Sequence, residues 1–439
     1  MRSNVRQPGL KDAVAVVVIP SNCLVAEEGA PSTPLSLSER YPAASGICRE
    51  VAQLVTKKGM KVAVTHGEGP SQDMPGPRRG PNRWSQDDFC VAPCQGRLGQ
   101  KLQQLLQNEL SLMTSPSSPY PPPSAVSVVS QVLVNVSDPA FQTPSVPVGE
   151  WVGEEEFQGC PFAATHSQAG WLCLLPAPKP IDVIEWRAVR TLLDSGVVPV
   201  AGGCGGVAVV ENAETRQLSN VPARVETEYT GALLGSRVRA RVLVLVVESE
   251  HRPGHASGGV GGLFGGKVGV SEVRRRLVKG DDFSDPFLKV KMEAAVAFLD
   301  FPEMEKGERE KRVVVVCKPG MMVSALEGEF GEEVLQVVPD DGIVRQMTLG
   351  MERFFHGASA RSMSVFRGWN DGLRGAVGGA SRGLSSVIEG ASAGLSRSGP
   401  MQRGGGVWDA CTCSGCSCGG CGAACSKGGS VDEHEVETE

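Results

Sequence analysis

Short apolar runs alternate with segments of helical periodicity over the first 350 residues of the chain. A short, unbroken run of β-branched residues is typical of a strand that is buried on both faces of a parallel sheet. The runs that predict strands are residues 14–19, 61–65, 126–134, 197–201, 242–247, 313–317 and 334–338. Apolar residues at three- and four-residue spacing predict helices over residues 44–57, 95–110, 182–193, 228–234 and 289–299. This alternation predicts an α/β fold with a mostly parallel sheet.

Three stretches interrupt the alternation. Residues 135–175 show little periodicity, which predicts an excursion that caps a site or is disordered. Residues 207–210 and 222–225 have the pattern of a hairpin. The glycine-rich residues 251–270 predict a flexible loop.

Residues 176–206 form the most informative unit, PAPKPIDVIEWRAVRTLLDSGVVPVAGGCGG. A predicted helix is followed by the strand 197–201, which runs straight into Gly202, Gly203, Cys204, Gly205 and Gly206. A glycine-dense loop at the carboxyl end of a parallel strand lets backbone N–H groups approach an anion. The alternative is a tight turn that needs glycine only for its shape.

Composition and charge narrow the function classes. The chain has 439 residues, 41% of them hydrophobic, and a formal net charge of −6. An acidic chain without a basic cluster is not expected to bind nucleic acid. It has no run of about 18 apolar residues, so no transmembrane helix is expected. The first predicted strand is followed by Pro20 and Ser21 rather than by a cleavage site, which favours a core strand over a signal peptide. A cytoplasmic location is therefore expected.

The cysteines fall into two groups. Eight of the 14 are scattered before residue 350, as expected for reduced, mostly buried thiols. The remaining cysteines have the spacing C-x-C-x2-C-x-C-x2-C-x3-C and are Cys411, Cys413, Cys416, Cys418, Cys421 and Cys425. This spacing is similar to that of metallothionein-type clusters and predicts a thiolate site for Zn²⁺ or Cu⁺. Lipidated cysteines or a low-complexity sequence without a ligand are the alternatives.

The residues after 350 have a composition of their own. Residues 351–439 predict a low-complexity, disordered tail. Within it, residues 354–395 carry Phe366, Trp369 and Leu373 at helical spacing, and glycines are frequent throughout this segment. Contact with a membrane surface or with a partner's groove would order this segment as an amphipathic helix.

Five stretches together resemble the carbamate kinases of the amino acid kinase superfamily. In chain order they are THGEGP (65–70), CQGRLGQKLQQLLQNEL (94–110), SQVLVNVSDPAFQTPSVPVG (130–149), the glycine-ended unit 176–206, and KMEAAVAFL (291–299). The resemblance extends from about residue 12 to residue 340. It implies a domain over residues 12–350 with a three-layer αβα fold, a protruding lid subdomain at 131–175 and a nucleotide-side half at 221–350.

The same resemblance implies an activity and a site. The expected reaction is reversible phosphoryl transfer between ATP and carbamate, with Mg-ATP or Mg-ADP, carbamate and carbamoyl phosphate as small-molecule partners, in a homodimer. Lys291 stands where the family has a nucleotide-side lysine, and Asn22 where it has a phosphate-site asparagine. The full expected set is Ser21, Asn22, His66, Gly67, Gly69, Gly202, Gly203, Gly205, Thr227, Glu228 and Lys291.

This chain departs from the family pattern at several phosphate-binding positions. Pro20 and Ser21 replace two glycines, and Glu68 replaces an asparagine. Proline removes a backbone donor, and a carboxylate repels a bound phosphate. The glycine loop keeps three of its four glycines, with Cys204 at the remaining position.

The departures extend to the cations. Thr227 stands between two glutamates where the family has Asp-Lys-Asp, and Val146 replaces a lysine. Residues 286–291, PFLKVK, replace Gly-Ser-Met-Gly-Pro-Lys and keep only the final lysine. Phosphoryl transfer depends on such cations. The sequence therefore predicts a carbamate kinase-like protein with weak or lost activity; the alternative is an inactive pseudokinase that binds or scaffolds.

Overall fold

Residues 14–19, VAVVVI, form a strand in which every side chain is buried. Ala15, Val17 and Ile19 belong to one apolar core, and the alternate residues of the strand belong to another. Successive side chains of a strand point to opposite faces, so an entirely apolar strand must be covered on both sides. The covering layers are seen in a computed structural model, which describes residues 9–24, 37–67, 90–158, 162–247, 265–279, 286–329 and 334–340.

The strands are β1 (Val14–Ile19), β2 (Lys61–His66), β3 (Ala125–Val128), β4 (Gln131–Val134), β5 (Val146–Val152), β6 (Ala163–Ser167), β7 (Gly170–Leu175), β8 (Pro180–Val183), β9 (Val198–Ala201), β10 (Val207–Glu211), β11 (Leu218–Asn220), β12 (Val242–Val246), β13 (Gly266–Gly269), β14 (Val313–Cys317) and β15 (Val334–Val338). The helices are α1 (Leu37–Arg40), α2 (Pro42–Thr56), α3 (Ala92–Met113), α4 (Glu154–Phe157), α5 (Trp186–Asp194), α6 (Thr227–Arg237), α7 (Val270–Lys279), α8 (Pro286–Leu299), α9 (Lys306–Arg309) and α10 (Met322–Glu327).

An eight-stranded sheet with the order β13-β15-β14-β12-β1-β2-β9-β3 forms the middle layer. Its neighbouring strands are parallel except for β14 and β15, which are antiparallel. Residues of α2, α3 and α10 share a core with one face of this sheet. Residues of α5, α6, α7 and α8 share a core with the other face. The mostly parallel α/β prediction and the three-layer expectation are confirmed.

Two smaller sheets stand apart from the main one. The order in one is β11-β10-β4-β8, and in the other it is β5-β7-β6. The second is wholly antiparallel and has a small core of its own around Val148, Cys173 and Leu175. It lies within the segment expected to be a lid. The lid and half-domain boundaries themselves stay predictions.

Several local predictions were wrong. The predicted helix 182–193 begins only at Trp186, because the preceding residues pair with β4 as strand β8. The predicted strand 126–134 is two strands in different sheets, β3 and β4. The second hairpin strand is Leu218–Asn220 rather than 222–225.

Two predictions of irregular structure also differ from the fold. Residues 266–269, which were expected in a flexible loop, form strand β13 beside β15. The described part of residues 135–175 contains strands β5 to β7, so the alternative that this stretch is disordered is wrong for that part. Their alternation is hidden because these strands are short and mostly half-exposed, so no apolar face stands out in the sequence.

Glu50 joins helix α2 to the start of helix α10, about 270 positions later in the chain. It lies in α2, is 7% exposed, and accepts hydrogen bonds from the backbone N–H groups of Gly320 (2.8 Å), Met322 (2.7 Å) and Val323 (3.2 Å). These N–H groups belong to the start of α10, which has no side-chain cap of its own at Met321. Burial raises the pKa of Glu50, while the three backbone hydrogen bonds act in the opposite direction. Glu50 therefore supplies the N-terminal cap of α10 from a distant part of the chain.

We expect Glu50→Ala to lower the free energy of unfolding by about 1–3 kcal/mol, because the N–H groups at the start of α10, including that of the buried Met322, lose their acceptor. Glu50→Gln retains one acceptor oxygen and should lose less. Urea denaturation followed by circular dichroism measures both. The exposed Glu155→Ala serves as control and should stay within about 0.5 kcal/mol of the parent; equal stability of Glu50→Ala and this control would contradict the capping role.

Candidate functional site

The carboxyl ends of β1, β2 and β9 meet at one edge of the sheet, because these strands are parallel neighbours. The loop after β1 and the loop after β2 are in direct contact there. The Gly67 N–H donates to the Ile19 carbonyl oxygen at 2.8 Å. A β-carbon on Gly67 would lie 2.5 Å from Ser21 Oγ and 2.8 Å from the Ser21 nitrogen. Gly67 is thus required by its packing against Ser21, whatever else it binds.

His66, the last residue of β2, is 1% exposed. Its Nδ1 lies 2.8 Å from the Gly67 carbonyl oxygen, so Nδ1 carries the hydrogen and donates it. Its Nε2 lies 2.3 Å from where a β-carbon of Gly203 would stand and 3.9 Å from the corresponding point on Gly99. The absence of side chains at these two glycines makes room for the ring. Burial lowers the pKa of His66 to about 4, so the imidazole is neutral at pH 7.

The glycine turn after β9 takes backbone conformations that favour glycine. Gly202, Gly205 and Gly206 have φ values of 68°, 75° and 88°, and residues Gly203–Gly205 form a 3-10 turn. A β-carbon on Gly205 would lie 1.7 Å from the Val225 carbonyl oxygen. The shape of the turn is therefore sufficient to explain these glycines, as expected if glycine is needed only for a tight turn.

Three hydroxyl groups fasten the turn. The Gly202 N–H donates to Ser130 Oγ at 2.9 Å. Thr65 Oγ1 donates to the Gly202 carbonyl oxygen, and Thr230 Oγ1 donates to the Gly205 carbonyl oxygen, both at 2.8 Å. All these residues are buried. The turn is held from β2, from the residue before β4 and from α6.

Sequence reasoning missed these supporting residues. Ser130 is itself held by Gln95, whose side chain accepts from the Ser130 N–H at 2.8 Å and donates to its carbonyl oxygen at 3.0 Å. Gln95 and Ser130 both stand in stretches that carry the family resemblance. Their polar character at buried positions was the available signal, but partners 35 positions apart are matched only by the fold.

The start of α6 and the middle of α8 meet through an ion pair. Lys291 Nζ lies 2.5 Å from Glu228 Oε1, and the two side chains are 7% and 12% exposed. Thr227, the first residue of α6, is 8% exposed. Beside the ion pair, Tyr229 donates a hydrogen bond to Glu293, and burial together with this carboxylate raises the pKa of Tyr229. Because Thr230 is fastened to Gly205, α6 connects this ion pair to the glycine turn.

The structure thus gathers most of the expected site residues into one region. Ser21, His66, Gly67, Gly202, Gly203 and Gly205 contact one another at the edge of the sheet, and Thr227, Glu228 and Lys291 lie on α6 and α8. Asn22 belongs to the 3-10 turn Ser21–Leu24, but its side chain lies outside the described residues, as does Gly69. The six clustered cysteines and the amphipathic segment 354–395 also lie outside them.

Among the described residues, no group of three or more His, Cys, Asp or Glu side chains is arranged to hold a metal ion. Across the same part of the chain, no helix is long and apolar enough to cross a membrane. The metal prediction for the clustered cysteines stays a prediction.

No family model matches the chain. Carbamate kinases are nevertheless similar to it over most of their length. The protein from Pyrococcus furiosus is 27% identical over 310 residues, covering 65% of this chain and 89% of its own. The protein from Thermococcus kodakarensis is 28% identical, covering 66% and 89%, and that from Staphylococcus epidermidis is 24% identical, covering 67% and 94%.

Solved structures agree on the fold. The carbamate kinase of Giardia lamblia bound to AMP-PNP has a TM-score of 0.58 at 21% identity and covers 75% of this chain and 99% of its own. A crystal structure from Aeropyrum pernix has a TM-score of 0.57 at 22% identity, with coverage of 74% and 99%. In sequence along nearly their whole length, and in fold, the chain is therefore similar to the carbamate kinases.

Proposed function

We propose that this chain is a carbamate kinase-like phosphotransferase that moves a phosphoryl group between ATP and carbamate slowly, with Lys291 as its principal cation. The buried ion pair between Lys291 and Glu228 carries this proposal. A lysine ammonium has three N–H donors, of which Glu228 engages one. The remaining donors and the fixed position of the ammonium are what a phosphate oxygen requires.

The shortage of other cations supports a slow rather than a fast reaction. Thr227 and Val146 stand where the resemblance implies lysines. His66 does not replace them, since its low pKa leaves it neutral at pH 7. Charge that spreads over the phosphoryl oxygens in the transition state is therefore met by fewer positive groups.

Two backbone donors expected to bind phosphate are already used within the protein. The Gly67 N–H donates to Ile19, and the Gly202 N–H donates to Ser130 Oγ. The glycines consequently shape the site more than they bind an anion, and phosphate affinity rests more heavily on Lys291. Each of these N–H groups would have to break its internal hydrogen bond before it could donate to a ligand.

The nucleotide would bring its magnesium ion with it. Mg²⁺ is usually held by one or two carboxylates together with the substrate's phosphates, so a preformed cage of protein ligands is not required. Glu226 and Glu228 flank Thr227 at the start of α6, and Glu228 is paired with Lys291. The Giardia carbamate kinase, which has this fold, was solved bound to AMP-PNP, and this supports nucleotide binding.

The second candidate is an inactive pseudokinase that binds a ligand or a partner. The substitution of Thr227 for a lysine favours this candidate, since it removes a cation that the reaction uses. A homodimer and a cytoplasmic location remain predictions for either candidate. Catalysis by the purified protein separates the two.

For the first candidate, we expect ATP to form from carbamoyl phosphate and Mg-ADP, and Lys291→Gln to lower the rate about 10²–10³-fold. Glutamine keeps a hydrogen-bond donor for Glu228 and removes the positive charge. A coupled ATP assay measures the rate, and circular dichroism checks folding. Lys289→Ala is the matched control, because Lys289 lies in the same helix, is exposed, and should leave the rate unchanged.

Three results would count against slow catalysis by Lys291. Equal rates for the parent and Lys291→Gln would show that another cation acts. A loss of rate in Lys289→Ala alone would assign that cation to the exposed lysine. No turnover by a folded parent that still binds Mg-ADP would establish the pseudokinase alternative.

The buried His66 also predicts a pH dependence of stability. Its pKa is about 4 in the folded protein against 6.5 for an ordinary histidine, so the unfolded chain binds more protons between these values. The free energy of unfolding should therefore be fully present above pH 6.5 and fall as pH drops toward 4, by at most about 1.4 kcal/mol per pH unit from this residue. Urea titrations at several pH values measure it.

The contribution of His66 is the difference between the parent and His66→Gln, which stays neutral throughout. We expect the slope between pH 6.5 and 4 to be shallower in this variant. His166→Gln, at an exposed histidine of β6, is the control and should retain the parent slope. Identical slopes for the parent and His66→Gln would show that His66 is not held neutral.

A further inference from the structure

Two cysteines meet at the glycine turn. Cys94 lies in the first turn of α3, and Cys204 is the central residue of the 3-10 turn Gly203–Gly205. Their sulfur atoms are 2.9 Å apart although the residues are 110 positions apart in the chain. Cys94 is 1% exposed and Cys204 is fully buried. The fold, rather than local sequence, therefore holds the two sulfurs against each other.

The backbone at Cys204 is unusual for a side-chain-bearing residue. Its φ is 54°, in the left-handed region that glycine adopts without strain. Two glycines flank it on each side, Gly202 and Gly203 before it and Gly205 and Gly206 after it. Cys204 keeps a side chain here, and that side chain points at Cys94 and lies 3.9 Å from the Gly67 carbonyl oxygen.

We propose that Cys94 and Cys204 form an oxidisable thiol pair that peroxide converts into a disulfide across the glycine turn. This inference does not depend on the proposed catalysis. A disulfide requires sulfurs at about 2.05 Å. Starting from 2.9 Å, bond formation needs a movement of under about 1 Å, within the reach of side-chain rotation.

The chemistry balances with hydrogen peroxide as the oxidant. Cys94 loses its proton, and its thiolate attacks one peroxide oxygen. The O–O bond breaks, Cys94 becomes a sulfenic acid, and the departing hydroxide takes up the released proton and leaves as water. The Cys204 sulfur then attacks the Cys94 sulfur, the S–O bond breaks, and a second water leaves with the Cys204 proton. Two thiols lose two electrons in total and one peroxide gains them.

Position decides which sulfur attacks first. Cys94 is in the first turn of a 22-residue helix, where aligned N–H groups stabilise negative charge on a thiolate. Cys48, in the middle of α2, and Cys317, at the end of β14, lack such a helix N-terminus, and burial strongly raises the pKa of both thiols. Peroxide is also small, which matters for a target with so little exposed surface. The pair should therefore react ahead of these two thiols.

The disulfide would tie the glycine turn to α3. At present the turn is fastened by hydroxyl groups of Ser130, Thr65 and Thr230. A covalent link would add a fixed connection on the side of α3 and restrict any movement of Gly203 and Gly205. Closing a loop of this length also restricts the unfolded chain, which stabilises the folded state.

The test uses the full-length, fully reduced protein treated with hydrogen peroxide. After thiols are blocked with N-ethylmaleimide, a digest under non-reducing conditions is mapped by mass spectrometry. We expect the main cross-link to join the peptide of Cys94 to that of Cys204 and to disappear after dithiothreitol. The thermal midpoint of the oxidised protein should rise by several degrees and return on reduction.

Two variants complete the experiment. Cys204→Gly suits the positive φ and should fold, and it should lose both the cross-link and the shift in thermal midpoint. Cys48→Ala removes an unrelated buried thiol and should retain both. Finding Cys94 and Cys204 alkylated, or oxidised separately without a cross-link, would overturn the proposal, as would a midpoint shift that persists in Cys204→Gly.

Discussion

The burial of the central strands on both faces governs the rest of this structure. Strands β1, β12 and β14 are apolar throughout, so helices must cover the sheet on each side. Polar chemistry is then confined to the ends of the strands. Because β1, β2 and β9 run parallel, their carboxyl ends converge, and the loops that follow them form one region. The candidate site is a consequence of this arrangement.

Within that region, internal hydrogen bonds compete with ligand binding. Gly67 and Gly202 use their N–H groups on Ile19 and Ser130. Gly203 makes room for the His66 ring, and Gly205 for the Val225 carbonyl group. The glycine-rich loop of this protein is accounted for by packing alone, so its glycines do not by themselves demonstrate phosphate binding.

Packing explains the glycines of this region, but it does not explain the ion pair of Lys291 with Glu228. Two charged groups with this little exposure are costly unless they are paired, and removing one partner is more costly still. The pair also joins α6 to α8, and Thr230 joins α6 to the glycine turn. Helix α6 therefore links this ion pair directly to the glycine turn.

The sequence alone determined the class of fold. Unbroken apolar runs such as residues 313–317 and 334–338 become strands with those bounds, because a run buried on both faces has no competing use. The helices of residues 95–110 and 289–299 were also predicted, with ends a few residues longer in the structure. The short, half-exposed strands β5 to β8 and β13 were not, because their stability comes from pairing with distant strands rather than from their own pattern.

The candidate site, like the fold, was predicted from the sequence only in part. Gly202, Lys291 and Glu228 were predicted as site residues from motifs that resemble those of carbamate kinases. Only the tertiary structure showed that Glu228 holds Lys291, that Ser130 occupies the Gly202 donor, and that Cys94 faces Cys204. Each of these contacts joins residues more than 60 positions apart. Such contacts are decided by how layers pack, and no local pattern of residues encodes them.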